Sequence, residues 1–252
     1  MSAVAATVDR VFLKPRRRRR TLIWPWIAAG IAVAVLGVGQ LPGPVSSVIA
    51  APETAAPAPG AEAAEDSALA LLETLDVKGR APRTGYEREQ FGQRWKDIDR
   101  NGCDTRNDVL ARDLTAIVRS GPCTVLSGSL ADPYTGQAIA FQRGQGTSEQ
   151  VQIDHVVALS DAWQKGAQQL APEVRERFAN DPLNLLAVDG PANQSKGDGD
   201  AATWLPSHKP TRCAYVARQV SVKAAYGLWV TRAEHDAIAG ILSTCPEQPA
   251  LR

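Results

Sequence analysis

The sequence predicts an α+β fold occupying residues 66–252, and three observations predict it. Apolar residues recur at helical spacing near both ends of that region and at strand spacing in its middle. Turn-forming residues such as Pro133 and Gly136 divide the middle segments. Four cysteines, Cys103, Cys123, Cys213 and Cys245, make an even set suited to two disulfide staples.

The elements follow in order. Residues 66–76, "DSALALLETLD", place Leu69, Leu72 and Leu75 on one side of an amphipathic helix. "TGYEREQFG" suits a short helix. Residues 105–118, "TRNDVLARDLTAIV", carry apolar positions at 109, 110, 114, 117 and 118, which predicts a further helix. Then the period changes. "CTVLSGSL" and "QAIAFQRG" are strand-like and join at "DPYTG", a β-hairpin pattern. Residues 151–159 read as a strand through Val151, Ile153, Val157 and Leu159. "APEVRERFAN" is a helix with Pro172 in its first turn, and 184–189, "NLLAVD", is a short strand. A helix begins at Pro191. "RCAYVARQVSVKAAYG" and "TRAEHDAIAGILSTC" are two more helices, the second capped by Thr231.

The cysteines form no C-x-x-C pair, which argues against a structural zinc site. Four cysteines allow three pairings, and neighbours are favoured: Cys103–Cys123 and Cys213–Cys245. Cys213 opens one predicted helix and Cys245 closes the next, so an antiparallel helix pair brings them together.

Ahead of this domain stand a basic segment, 1–21, an apolar stretch, 22–41, and an Ala/Pro-rich linker, 42–65. The apolar stretch is close to the length that spans a hydrocarbon core, and the arginines before it favour a cytoplasmic start. It is either a membrane anchor or the apolar part of a signal peptide, with Val48–Ala50 resembling a cleavage site. Either way the domain is expected to be extracytoplasmic, secreted or tethered by one span.

The net charge of +1 hides a split. Residues 1–40 hold seven Lys+Arg and one Asp, leaving 21 basic against 26 acidic residues, a balance of −5. A polycation that coats nucleic acid is excluded, and an anionic ligand needs a local basic cluster or a bound cation. No G-x-S-x-G occurs, so a serine hydrolase is unsupported.

One stretch resists the bland reading. "VQIDHVVALSDAW", 151–163, puts Asp154 and His155 in the middle of a strand, in a chain with three histidines. Such a pair is either a satisfied structural contact or a working site. Downstream come "DPLNLLAVD", 181–189, and "GPANQSKGD", 190–198, so the order is D-H on a strand, Asn184, a second strand, and N-x-x-K entering a helix. These residues resemble the HNH nucleases, and more closely the C-terminal module of GmrSD-type restriction enzymes in its exported actinobacterial form. The resemblance spans about residues 80–245, with its specific part in 150–200.

It implies a ββα-metal core with accessory helices. His155 is then the general base, and Asp154 and Asn193 are ligands of one divalent ion, Mg²⁺ or Mn²⁺. Asn184 bonds backbone or orients the loop that carries His155, and Lys196 touches phosphate. The chemistry suits these types: imidazole titrates in a useful range, and hard oxygens hold a hard cation. Asn193 stands where the family name has His, which favours an oxygen-ligated ion. Adjacent strand residues point to opposite faces, so Asp154 and His155 can share a ligand only at a bulge or at the strand end.

Lys165, Lys196, Arg218 and Lys223 are the candidate phosphate contacts, with Arg106 and Arg112 as further cations within reach. The expected function is a metal-dependent endonuclease acting on DNA, with no protein partner. The alternative is a degenerate nuclease fold serving as a cell-envelope binding module. His208 and His235 are expected in a loop and on an exposed helix face. Asp97, Asp99, Asn101, Gly102 and Asp108 match parts of a calcium loop, but Asp at its last position, Asp104 at an apolar one and the expected bridge at Cys103 favour an acidic turn locked by a disulfide.

Overall fold

A computed structural model describes residues 66–251. The basic, apolar and linker segments of 1–65 lie outside the described residues. Among the described residues no helix is long and apolar enough to cross a membrane.

The fold is α+β. A short helix α1 (Ala68–Leu72) precedes α2 (Thr105–Asp113), then strands β1 (Leu114–Ser120), β2 (Thr124–Ala131), β3 (Ala138–Gln142) and β4 (Val151–His155). Helices α3 (Leu159–Trp163) and α4 (Pro172–Asn180) lead to β5 (Leu185–Asp189), α5 (Gly190–Lys196), α6 (Arg212–Ala225) and α7 (Arg232–Leu242). Strands β1–β2–β3 form one antiparallel sheet, and β4 pairs with β5 in a separate two-stranded ribbon.

Two boundaries depart from the sequence reading. The helix expected over 105–118 stops at Asp113, and 114–120 is a strand. Its apolar spacing fits a helix, but Leu114 and Val118 pair across to Leu130 and Ser127 of β2, and Ala116 takes a φ of 50° where the register shifts. The strand expected over 151–159 ends at His155, because Val156 and Val157 leave the ladder to bond with Asn184. The capping box at Thr231 forms with Glu234, as its spacing predicts. His235 is not exposed: its side chain is 12% accessible and faces Glu73.

Both neighbour disulfides are present, Cys103–Cys123 and Cys213–Cys245. The first ties the loop before α2 to the β1–β2 turn. The second ties the start of α6 to the chain just beyond α7, and each bridge contributes about 2–4 kcal/mol.

The β4–β5 ribbon is central because its side chains feed three apolar clusters. Val151, Ile153, Leu185 and Ala187 pack with α2 and the three-stranded sheet. Val188 and the adjacent Val156 pack with α1, α6 and α7, and Val157 joins Phe91, Trp163 and Phe178. Each such buried side chain contributes roughly 1.5–3 kcal/mol. Gly190, where β5 meets α5, is obligatory: a Cβ there would lie 2.1 Å from the carbonyl of Glu149. That close approach lays α5 directly over β4.

Candidate functional site

The strand period and the helical turn together build the site. Gln152 and Asp154, two residues apart, share one face of β4. Asn193 and Lys196, three apart, share one face of α5. The two pairs meet: Asn193 Nδ2 donates to Gln152 Oε1 at 2.9 Å, and Lys196 Nζ reaches Asp154 Oδ2 at 3.0 Å and Oδ1 at 3.1 Å. Asp154 also accepts from the phenol of Tyr134. Burial lifts the Asp154 carboxyl above its usual range, against the pull of Lys196 and Tyr134.

His155 ends the strand on the other face, and Ile153 beside it goes to the core. Its Nε2 lies 2.8 Å from the carbonyl oxygen of Ala179, at the end of α4. A carbonyl only accepts, so Nε2 carries the proton and Nδ1 of the neutral ring keeps a lone pair. Burial pushes the imidazole down to about 3, with the cations Arg88, Lys196 and Arg94 adding to the effect, so it does not titrate in the near-neutral range expected from the sequence. Asn184 fixes the segment that follows: its Oδ1 accepts from Val157 N at 2.8 Å, and its carbonyl accepts from Val156 N at 2.8 Å.

Asp154, His155 and Asn193 line one open cleft of about 750 Å³. The register of β4 with β5 is unbroken, so no bulge brings Asp154 and His155 together. The ribbon has only two strands, so one edge of β4 is unpaired. Residues from both faces can meet a ligand there, at the strand end.

The opposite wall holds what the sequence reading largely missed: Arg83, Arg88, Arg94 and Arg106, with Tyr86 and Trp95. Of these only Arg106 was a candidate. Arg94 and Arg106 sit 5.2 and 6.0 Å from the centre of the Trp95 ring, and Arg83 sits 5.1 Å from that of Tyr86. Arg83 has Asp198 at 3.6 Å, whereas no ion pair among the described residues engages Arg88, Arg94 or Arg106. Burial and repulsion from Arg94 lower Arg88, and burial with repulsion from Arg143 and Arg94 lowers Arg106, from the ordinary arginine range. The available signal was the interleaving of arginine with Tyr86 and Trp95 across 80–106.

The cations that were expected to meet phosphate lie elsewhere. Lys165 is fully buried, with Asp161 at 2.7 Å, Asp200 at 2.8 Å and Glu234 at 2.6 Å. Lys223 is fully buried against Glu234 at 2.8 Å and Asp161 at 3.5 Å. Arg80 completes this cluster through Asp161 and Asp200. Lys196 is spent on Asp154 and on the carbonyl of His155. Arg218 and Arg112 donate to backbone carbonyls around 182–185, outside the cleft. Lys165, Lys196 and Lys223 are thus buried among their partners, while Arg112 and Arg218 stay at least partly exposed.

The residues suit a hard cation of the magnesium type. Asp154 and Asn193 line one cleft and both carry oxygen donors, although the Asp154 oxygens already accept from Lys196 and Tyr134, and magnesium commonly takes one or two protein oxygens plus water and phosphate. Among the described residues no group of three His, Cys, Asp or Glu side chains gathers to cage a transition metal. In the 97–102 turn the carboxylate of Asp97 accepts from the amides of Asn101 and Gly102, and Asn101 Oδ1 from Cys103 N. This is an acidic turn next to a disulfide.

Residues 104–241 match the family model for the C-terminal domain of GmrSD restriction endonucleases. An "uncharacterized secreted protein" of Arthroderma benhamiae is 39% identical over 181 residues, covering 71% of this chain and 85% of that protein. No solved structure matches.

Proposed function

From the premise that this chain belongs to the family of GmrSD restriction endonuclease C-terminal domains, we propose that the cleft hydrolyses phosphodiester bonds in DNA outside the cytoplasm. In this reading β4, β5 and α5 are the ββα-metal core of an HNH endonuclease. The observation that carries it is a neutral, tautomer-fixed histidine at the floor of an arginine-lined cleft, beside Asp154 and Asn193.

His155 Nδ1 takes the proton of the attacking water, because Nε2 is held by Ala179 O. Asn184 keeps the ring in place through the backbone of 156–157. Tyr134 and Lys196 orient the Asp154 carboxylate. Arg88, Arg94 and Arg106 hold the phosphate charge. A divalent ion, Mg²⁺ or Mn²⁺, supplies positive charge at the scissile phosphate when bound, with Asp154 and Asn193 as the residues that would hold it. Export is supported by the basic-apolar N-terminus, the two disulfides and the likeness to a protein named as secreted.

The test is cleavage of DNA by the oxidised full-length chain with each metal, against His155→Ala. Loss of roughly 10²–10⁴-fold is expected. No cleavage by the unaltered chain with either ion would remove the proposal. One observation favours the second reading, a degenerate binding module: the Lys196 ammonium already pairs with both Asp154 oxygens. Calorimetric titration of Mg²⁺ and Mn²⁺, compared with the Asp154→Ala/Asn193→Ala variant, separates the two. Heat lost in the double variant supports the nuclease, and no heat from either protein supports the module.

A further inference from the structure

We infer that the cleft takes an unpaired nucleic-acid strand rather than a duplex, and that Trp95 is the platform on which one of its bases stacks. This rests on the nucleic-acid reading of the same site.

Access to the reacting group is the first observation. His155 and Asp154 are only 8% and 5% accessible, at the bottom of a cleft walled on one side by Arg83–Arg106 and on the other by 193–198. A phosphate must descend to reach them. Duplex DNA is stiff, with a persistence length of about 50 nm, and its phosphates are fixed on the outside of a rod. A single strand bends freely and can deliver one phosphate into a recess. The cleft volume of about 750 Å³ suits a few nucleotides, and a smaller cavity of about 220 Å³ adjoins it. Trp95, Arg88, Arg94 and His155 line both spaces.

The wall chemistry is the second observation. Groove arginines interleaved with aromatic rings are the arrangement that tracks a single-strand backbone while stacking its bases. Here Trp95, which packs on the cluster of Val109 and Ile153, lies under Arg94 and Arg106, neither of which forms an ion pair among the described residues. The backbone at Trp95 is left-handed, with φ 58°, a strained state for an aromatic residue. Lys96 holds it in place: its amide donates to Asn180 Oδ1 at 2.9 Å, and its ammonium pairs with Glu176. Both partners of Lys96 belong to α4, the helix that also carries the Ala179 partner of His155. Residues 83–95 precede the family-matched segment, so the match itself does not supply this wall.

Binding decides the matter separately from catalysis. The full-length His155→Ala chain is titrated, without divalent ion, against a fluorescein-labelled 20-mer single strand and against the same 20-mer as a blunt duplex. Anisotropy and tryptophan fluorescence are read together. The single strand is expected to bind at least tenfold tighter and to quench tryptophan emission. Trp95→Ala should weaken single-strand binding about tenfold and leave duplex binding within twofold, and Trp95→Phe should retain most of the affinity. Equal or tighter duplex binding overturns the inference, and so does a Trp95→Ala effect equal on both ligands. The strand-versus-duplex comparison needs no Trp95 variant, so a misfolded substitution does not shield the proposal. Should single strands bind as expected while the unaltered chain cuts nothing, the nuclease reading fails and this one stands. Should the chain cut and prefer duplex, the reverse holds.

Discussion

Two clusters of positive charge lie on either side of α3, and they have opposite fates. In one, Arg80, Lys165 and Lys223 face Asp161, Asp200 and Glu234, three cations against three carboxylates, and the two lysines are wholly buried. In the other, Arg88, Arg94 and Arg106 line an open cleft and form no ion pair among the described residues, although Asp154 and Asp198 line it too. The first cluster spends its charge on the fold, joining the segment before Tyr86 to α3, to the chain after α5, and to α6 and α7. The second keeps its charge for something outside the chain. Identical residue types are therefore structural or functional according to whether carboxylates from distant segments close around them.

Removing one member of the neutral cluster should have the largest effect. Lys165→Met leaves three carboxylates facing fewer cations in a dry site and is expected to cost about 3–5 kcal/mol. Thermal unfolding should fall by roughly 10 °C. Single-strand binding measured well below that temperature should hold within twofold. A loss of binding with unchanged stability would invert the assignment of the two clusters.

The cleft should answer in the opposite sense. Arg94→Gln/Arg106→Gln is expected to weaken binding to nucleic acid about 10–100-fold, since two charge-assisted phosphate contacts are lost. Its melting temperature should stay the same or rise, because like charges are being separated. With the Arg83, Arg88, Arg94 and Arg106 contacts intact, log K against log salt should fall with a slope of about −3 for a single strand. The acidic domain predicted a shallow dependence, and the cleft wall assigns it to Arg106, which the sequence reading named, and to Arg83, Arg88 and Arg94, which it left out. A slope near −8 would require a second basic surface.

The neutral cluster also sets a pH window. Burial works to raise Asp200, but Lys165 and Arg80 outweigh it and hold the carboxyl below its usual range. A depressed carboxylate contributes stability above its unfolded pKa of about 3.9, and that stability is lost as pH falls through the lower folded value. Burial works to lower Lys165, yet Asp161 and Glu234 hold it above the usual lysine range. Its contribution is complete below the unfolded pKa of about 10.4 and is lost as pH rises through the raised folded value. The neutral cluster's contribution to urea stability should therefore hold between about pH 4 and pH 10, with a fall at each end, on top of a loss from buried neutral His155 that begins as pH drops below its unfolded pKa of about 6.5. In Asp200→Asn the acid fall should flatten, and an unchanged acid limb would mean that other carboxylates govern it.

The fold was more readable than the site, for a physical reason. Helices and strands announce themselves through local periodicity, and β1 was lost only because Leu114, Ile117 and Val118 continue a helical spacing that cross-strand pairing overrides. The D-H, Asn184 and N-x-x-K residues fall within about 45 positions, so their order could be read along the chain. The fate of a cation could not. Asp161 stands four residues before Lys165, a visible ion-pair spacing, but Asp200 and Glu234 arrive from 35 and 69 residues away. Net charge counts all of these equally, and burial separates them.

Arg218 lies between the two extremes and gives the smallest effect. Its guanidinium donates to Leu183 O at 2.9 Å, and Arg112 donates to Pro182 O and Leu185 O on the same turn. Two arginines thus satisfy the carbonyls of the turn that carries Asn184 into β5. Arg218 has no ion pair among the described residues, as in the cleft, yet its hydrogen bonds go to backbone, as in the core. Arg218→Gln should cost about 1 kcal/mol of stability, one lost bond from a charged donor offset by the shorter amide. Nucleic-acid affinity should change less than twofold, because the residue lies outside the cleft wall. Any larger loss of affinity would mean that the strand leaves the cleft across this turn, and that charge without an acid partner marks the ligand path even where backbone carbonyls already claim it.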